Sequence, residues 1–494
     1  MPQSLLEAAA KLDPPEIWQL FAALTKIPRP SGHEQAVGDY IVTLAREHGL
    51  EADKDEVGNV LIKAPATPGH ERVPAIILQG HLDMVPAAGP GVEHDFVTQP
   101  IEAMVEDGFV RARGTSLGAD DGLGVAVALA LLCDRNLPHG PLRAVFTVEE
   151  ETTMRGARGL NPQVLDAPYL INLDGEEDGQ VYISCAGSWD WTLSVTAPLC
   201  PPPAQGVALN LELNGALGGH SGADIALQHL NPLKTLGEIL AELSCDEMLW
   251  LSDCSGGTVR NSIPREARAT LVVNRGRESA AAKRLQQSFE RFLQRHRSAE
   301  SALKLNISVQ TQLPEQVIGC KDSQNMCNLL ATLPHGVERW EERAGVPETS
   351  CNVGIASLSK EADGGTLQLI VMVRSLSEAG LDILGNRLKA VAALVGGCTA
   401  VPSNRHPCWL PVYDNILLEA LRRNYREISG RELAVTAMHA GLECSAFARS
   451  NPKLQMVSTG SCVLNPHTPQ ERAGIAGVRV LYDTLRQTLS AFGV

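Results

Sequence analysis

Short apolar runs alternate with amphipathic stretches through the first third of the chain. Residues 15–24 and 32–47 repeat apolar side chains at the spacing of helices with one buried face. Residues 58–64 read as a strand. The run 75–78 inside VPAIILQGHLDMV (73–85) is short, apolar and β-branched, as expected of a strand covered on both faces. Residues 122–133 read as a helix, and LRAVFTVEEE (142–151) and APYLINLDGE (167–176) as two more buried strands. Strand, helix, strand, strand with short turns predicts a layered α/β domain with a mainly parallel central sheet.

The pattern changes near residue 195. The Pro-rich stretch LCPPPAQG (199–206) reads as a boundary. Beyond it, GVALNLELNGAL alternates like a half-exposed strand, 267–274 and 366–373 read as further strands, and 230–243, 280–295 and 381–395 as helices. That mixture predicts an inserted α+β domain. After about residue 400 the first style returns, with a helix at 415–428 and a strand at 454–459. The predicted organisation is a discontinuous first domain, 1–192 and 397–494, interrupted by a second, 193–396.

Polar residues of one kind follow the apolar runs of the first domain. His81 and Asp83 follow the first, Glu149, Glu150 and Glu151 the next, and Asp174 the third. Open α/β sheets bind ligands beyond the carboxyl ends of their strands. Three strands therefore deliver acid or imidazole groups to one edge.

Composition narrows the possibilities. Apolar residues make up 44% and charged residues 20%, so the chain is an ordinary globular one; aromatics at 4% leave the core to Leu, Val, Ile and Ala. A formal net charge of −15 argues against nucleic acid as the partner. No stretch of about 18 apolar residues occurs, so no membrane partner is expected. The start, MPQSLLEAAAKLDPPEIW, has neither a basic n-region nor an apolar h-region. The twelve cysteines are scattered without a CxxC pair. A cytoplasmic protein with reduced, core-packed cysteines is the expectation.

The candidate chemistry starts from His81 and Asp83, an HxD whose side chains share one side of an extended chain. Asp120 and Asp121 sit in GTSLGADDGLG, where glycines allow a tight turn into a helix. The three acids at 149–151 end an apolar run, and burying them without partners would be costly, so a compensating cation is the natural reading. Asp174 adds a further carboxylate, and His467 in GSCVLNPHTPQE (460–471) a second imidazole. Each piece has a plain alternative: an accidental HxD, a solvated acidic run, an ordinary turn. Their order and strand-end placement set them apart. Two histidines and several carboxylates suit zinc, cobalt or manganese, with one carboxylate bridging two ions and another left as general base.

GHLDMV, GTSLGADDGLG, HGPL…TVEEE, NLDGEEDG, GGHSG, GGTVRNSIPRE, HAGLEC and PHTPQE, in that order, resemble the aminoacyl-histidine (Xaa-His, or cytosol non-specific) dipeptidases. These form a branch of the dizinc aminoacylase and carboxypeptidase-like superfamily. The resemblance runs from about residue 10 to the C-terminus. It implies a dizinc catalytic domain with an α+β lid, hydrolysis of dipeptides with a free N-terminus, two Zn2+ ions, and a homodimer. It implies that His81 and Asp174 hold one metal, Glu151 and His467 the other, and that Asp120 bridges them. Asp83 orients His81, and Glu150 is the general base. Glu149 stands where Thr is common, which leaves a second register open, with each role of the acidic run shifted back by one. Asp121 stands where Asn is common; its plain role is a helix N-terminal acid. In the inserted domain the resemblance points to His220 of GGHSG as an oxyanion donor reached on domain closure. Asn261 and Arg374 are candidate grips for the substrate carboxylate, and His439 and Glu443 of HAGLE are pocket candidates, Glu443 for the free amine. An N-acyl amino acid deacylase and an inactive binding homologue are the rival readings.

Overall fold

Ile76–His81 is a strand with all six residues buried, the doubly covered run that the sequence predicts. It lies near the centre of an eight-stranded sheet. In chain order the strands are β1 (Glu51–Lys54), β2 (Val60–Ala64), β3 (Ile76–His81), β4 (Leu142–Thr147), β5 (Tyr169–Gly175), β6 (Gln180–Cys185), β7 (Ala434–Met438) and β8 (Gln455–Gly460). Their order across the sheet is β1-β2-β4-β3-β5-β8-β6-β7. The four central strands β4, β3, β5 and β8 are parallel, and β1, β2 and β6 pair antiparallel at the flanks. The sheet is thus parallel only at its middle, where both faces are covered.

The computed structural model describes residues 3–296 and 300–492. They divide into two units, Met1–Cys185 with Trp409–Ala437 and Leu442–Val494, and Ala186–Cys408 with Met438–Gly441. In the first unit the sheet packs with helices α1 (Pro15–Leu24), α2 (Gln35–Glu47), α3 (Ala119–Cys133), α4 (Ile416–Ser429) and α5 (Ile475–Ala491). Helix α3 is buried along nearly its whole length, as its Ala, Val and Leu content requires. Its first turn is irregular at Asp120 and Asp121, so regular helix begins at Gly122. Gly80 allows this approach, because a Cβ there would collide with the Asp121 carboxylate. Each fully buried Leu, Ile or Phe of this core, Leu78 and Phe146 among them, contributes about 1.5–3 kcal/mol by leaving water.

The second unit is α+β. Its main sheet has nine strands, all antiparallel, in the order 304–309, 206–214, 266–274, 249–256, 346–361, 364–375, 187–197 and 398–406, with 336–341 pairing alongside 346–361. Helices Pro232–Asp246, Glu278–His296, Cys320–Thr332 and Glu378–Leu394 share a separate core with it around Trp191, Leu211 and Leu236.

The change of unit falls at Cys185/Ala186 and again at Cys408/Trp409, earlier and later than the 192 and 396 read from composition. The reason is pairing. Gly187–Ala197 already runs in the second sheet, opposite Gly365–Ser375, and Leu199–Cys200 pairs with Val317–Ile318. The Pro-rich stretch is therefore a loop within that unit. Cys185, Cys254, Cys327, Cys351, Cys408 and Cys444 are buried as expected, whereas Cys245 is exposed. No helix among the described residues is long and apolar enough to cross a membrane.

Candidate metal centre

Strand register decides which side chains meet. In the β3–β4 pair His81 stands opposite Thr147, and in the β3–β5 pair Gln79 stands opposite Asn172. The carboxyl ends of three neighbouring parallel strands therefore present His81, the turn 149–151 and Asp174 at one edge. The irregular start of α3 brings Asp120 to the same place. His467 arrives from a hairpin loop between the short strands Val463–Leu464 and Arg472–Gly474.

Asp120 is the centre of the cluster. Its Oδ1 lies 3.1 Å from His81 Nε2 and its Oδ2 2.9 Å from His467 Nε2. His81 Nε2 is also 3.4 Å from Asp174 Oδ1, and His467 Nε2 is 2.9 Å from Glu151 Oε1. Three ligand-type groups result among the described residues, each with its donor atoms within 4.8 Å of one another: His81–Asp120–Asp174 and Asp120–Glu151–His467, which share Asp120, and His81–Glu150–Glu151. Asp83 stands behind His81, with Oδ1 3.5 Å from Nδ1. Its carboxylate also accepts from Ser31 Oγ at 2.8 Å and from the backbone N–H of Glu150 and Glu151 at 3.0 and 3.2 Å, so one acid fixes both the imidazole and the acidic turn.

The acidic run divides its side chains. Glu150 and Glu151 form a group with His81. Glu149, with φ of 53°, turns away; its Oε1 accepts from Arg155 Nε at 2.7 Å and its Oε2 from Thr153 Oγ1 at 3.0 Å. Asp121 is a buried acid in the irregular first turn of α3. Its Oδ2 accepts from the His81 N–H at 3.2 Å, and burial, with Asp174 and Asp120 close by, pushes it well above the carboxylate range.

The electrostatics call for positive charge. Burial, then Asp120, raises Asp174 to about 7. Burial with Asp120 and Asp174 raises Glu176 to about 8, and burial with Asp174 does the same for Glu443. Burial and the acids Asp174, Glu151 and Glu443 push Glu150 well up. Burial alone would lower His81, but Asp174 and hydrogen bonds to Asp120, Asp174 and Asp83 hold it well above its usual value. Hydrogen bonds to Asp120 and Glu151 raise His467 to about 11. Glu151 Oε1 is buried, and its near neighbour is His467 Nε2 at 2.9 Å. Two imidazoles, His81 buried and His467 at 47% side-chain exposure, converge with three carboxylates; this is the donor set of borderline divalent ions, so these residues fit a pair of them.

The other candidates lie elsewhere. His220, Asn261, Arg374 and His439 belong to the second unit. The Ser221 N–H donates to the Asn261 carbonyl at 2.8 Å. Arg374 reaches Ser221 Oγ at 3.3 Å and His220 Nε2 at 3.4 Å, and burial lowers its guanidinium to about 10. His439 Nε2 is 2.7 Å from Ser350 Oγ. His220 lines a cleft of about 590 Å³ with Thr258, Ser262 and Arg265. Glu443 belongs to the first unit and is fully buried; its Oε2 accepts from Gln79 Nε2 and Thr147 Oγ1, both at 2.6 Å, and its Oε1 has no hydrogen-bond partner. Sequence reasoning gave no role to Arg29, Glu176 or Glu471. For Glu471 and Glu176 the signal was present, in PHTPQE and NLDGEEDG, whereas Arg29 carries none.

A parallel-centred α/β sheet that gathers buried acids and imidazoles at its carboxyl edge defines a cation-dependent hydrolase site. The chain belongs to peptidase family M20/M25/M40, whose family model matches residues 77–491. It is 36% identical to the cytosol non-specific dipeptidase of Escherichia coli (strain K12), over 97% of this chain and 98% of that protein. It is similar to the crystal structure of aminoacylhistidine dipeptidase from Vibrio alginolyticus, with TM-score 0.89, 35% identity and 98% of each chain covered. Aminopeptidase PepT from Bacillus cereus ATCC 10987 shares the fold, with TM-score 0.61, 15% identity, and 96% of this chain and 97% of that chain covered.

Proposed function

We propose that this chain is a metallo-dipeptidase that hydrolyses the peptide bond of dipeptides with a free N-terminus, Xaa-His among them. The observation that carries the reading is the division of the Asp120 carboxylate, one oxygen 3.1 Å from His81 and the other 2.9 Å from His467. In this reading His81 and Asp174 hold one ion, Glu151 and His467 the other, and Asp120 bridges. Zinc is the metal of this proposal, with cobalt and manganese as substitutes. Bound there, the ions polarise the scissile carbonyl and lower the pKa of a water.

The chain's own groups move the proton. Glu150 takes it from the attacking water and delivers it to the leaving amine nitrogen. Asp83 holds the His81 ring in its pose. Arg374 and Asn261 grip the substrate carboxylate, the guanidinium by two parallel hydrogen bonds, and His220 donates to the developing oxyanion. His439 belongs to the pocket. The Glu443 Oε1, which accepts no hydrogen bond within the fold, takes the free amine. A cytoplasmic homodimer is the proposed setting, checked by sedimentation equilibrium.

The test compares hydrolysis of Leu-His and β-alanyl-histidine with that of an N-acetyl amino acid, alongside a metal assay. Dipeptides are expected to be cleaved and the acetylated compound spared. Preference for the acetylated compound would make the chain a deacylase. Absence of both metal and turnover would make it a binding homologue.

A further inference from the structure

Beneath the ligand cluster lies a pair of buried, oppositely charged side chains that no step above uses. Glu471 is 2% exposed and Arg29 3% exposed. Glu471 Oε2 accepts from the N–H of Leu117 at 2.7 Å and of Gly118 at 3.0 Å, and its Oε1 from the N–H of Ala119 at 2.7 Å and of Asp120 at 3.3 Å. A carboxylate has about four lone-pair sites, and all are taken by successive peptide groups. That explains why an acid so close to the cluster is not among the ligand groups.

Arg29 holds the same turn from the other side. Its Nη2 donates to the Gly118 carbonyl, and its Nη1 to the carbonyls of Leu82 at 2.7 Å and Asp83 at 2.9 Å. Gly118 is thus gripped at its N–H by Glu471 and at its carbonyl by Arg29. Gly118 has φ of 70°, and a Cβ on it would crowd Arg29 Nη2.

Each held segment carries part of the metal centre. Leu82 and Asp83 follow His81, the gripped turn ends in Asp120, and Glu471 lies four residues beyond His467 in the same hairpin loop. Buried charges are tolerated only when their polar atoms are satisfied, and here the backbone hydrogen bonds of Glu471 and Arg29 tie together three segments far apart in sequence. We infer that Glu471, with Arg29 as its counterpart, is a positioning residue of the metal centre, fixing Asp120 relative to His81 and His467 so that both ions are held. The inference rests on the ligand set proposed above.

The test uses the full chain as wild type, Glu471→Gln and Arg29→Lys, each stripped by a chelator and checked for fold by far-ultraviolet circular dichroism. Each is then titrated with Co2+, followed by its d–d absorption, and with Zn2+ in competition with a chromophoric chelator. Gln keeps the size of Glu471 but turns an NH2 group against N–H donors. At least one ion is expected to bind about 10–100-fold more weakly, the usual cost of losing support behind a ligand, with an altered Co2+ spectrum. Arg29→Lys is expected to move both readouts in the same direction by less. Wild-type affinity and spectrum in a folded Glu471→Gln overturn the inference, whatever its melting temperature. Should that variant fail to fold, Arg29→Lys decides by the same two readouts. A wild type that binds fewer than two ions refutes the ligand set itself, a result distinguishable from the failure of the clamp.

Discussion

The two units differ in how their buried ionisable groups are matched. In the second, the polypeptide supplies partners to Lys234, Glu300 and His439. Lys234 donates to the carbonyls of Leu330 at 3.0 Å, Ala331, and Leu333 at 2.6 Å at the end of helix Cys320–Thr332. Glu300 accepts from the N–H of Leu217 at 3.1 Å and Leu230 at 2.9 Å. His439 stays neutral beside Ser350, its imidazole lowered to about 3 by burial and then by Arg374. In the first unit Asp120, Glu150, Glu151, Asp174, Glu176 and Glu443 crowd around two histidines, and most are pushed upward. Buried polar groups in proteins are normally satisfied. Where a fold concentrates acids that its own groups leave unmatched, the missing partner comes from outside, and the site of chemistry is found there.

Removing the metal is the strongest way to break this contrast. Chelation is expected to reduce dipeptide hydrolysis to background and to lower the stability of the first unit. Each ion lost at 100 times its Kd removes about 2.7 kcal/mol of stabilisation. Hydrogen exchange should rise around 76–81, 117–123 and 463–471 and stay unchanged across the second sheet. Turnover that survives exhaustive chelation would refute the assignment. The next largest effect is that of Glu150→Gln, expected to keep its metal while losing about 10²–10⁴-fold or more in kcat. Loss of the metal together with activity would instead make Glu150 a ligand.

Much of this contrast is legible in the sequence. Ile76–His81, Leu142–Thr147 and Tyr169–Gly175 declare themselves as buried strands by their continuous apolar runs, and the acids just beyond them mark the site edge. Pairing is less legible. The antiparallel flanks β1, β2 and β6 have no period that separates them from parallel strands, and strand Gly187–Ala197 alternates alike whichever sheet it joins. The support of the site is hidden for another reason. Glu471 and Arg29 work through backbone N–H and C=O groups, which every residue carries, so no residue type at Leu117 or Leu82 announces the contact. Asp121 is hard to read because an acid at a helix start has an ordinary meaning, whereas its burial and its hydrogen bond from the His81 N–H, over the bare Cα of Gly80, show that it points into the core.

The second unit can be tested by pH, with smaller effects. The His439 imidazole has a folded-state pKa of about 3, below the unfolded value of about 6.5. As pH falls, the unfolded chain takes up this proton first, so the stability that neutral His439 contributes is complete above about pH 6.5. It is lost progressively as pH falls toward about 3. Between pH 6.5 and 5 the loss from this group is about 2 kcal/mol. Urea unfolding of metal-free protein at the two pH values measures it, with His439→Asn as control. The variant should lose less than wild type over that interval. Equal losses would place the sensitivity in another group.

The smallest expected effect is the most pointed, because it separates neighbours in one acidic run. Glu149 faces Arg155 and Thr153 with its side chain 19% exposed, while Glu150 and Glu151 face the histidines. An ion pair near the surface contributes about 0–1 kcal/mol, so Glu149→Gln should shift the unfolding free energy by no more than that. Its kcat/KM should stay within about threefold of wild type, a barrier change under about 0.7 kcal/mol. Asp83 explains why adjacent acids differ so widely. By accepting from the N–H groups of Glu150 and Glu151 but not of Glu149, whose N–H donates to Glu34, it turns the chain between the first acid and the second. If Glu149→Gln proved inactive while Glu150→Gln kept turnover, the register would move back by one. The turn held by Asp83 would then have to be rearranged in the working enzyme.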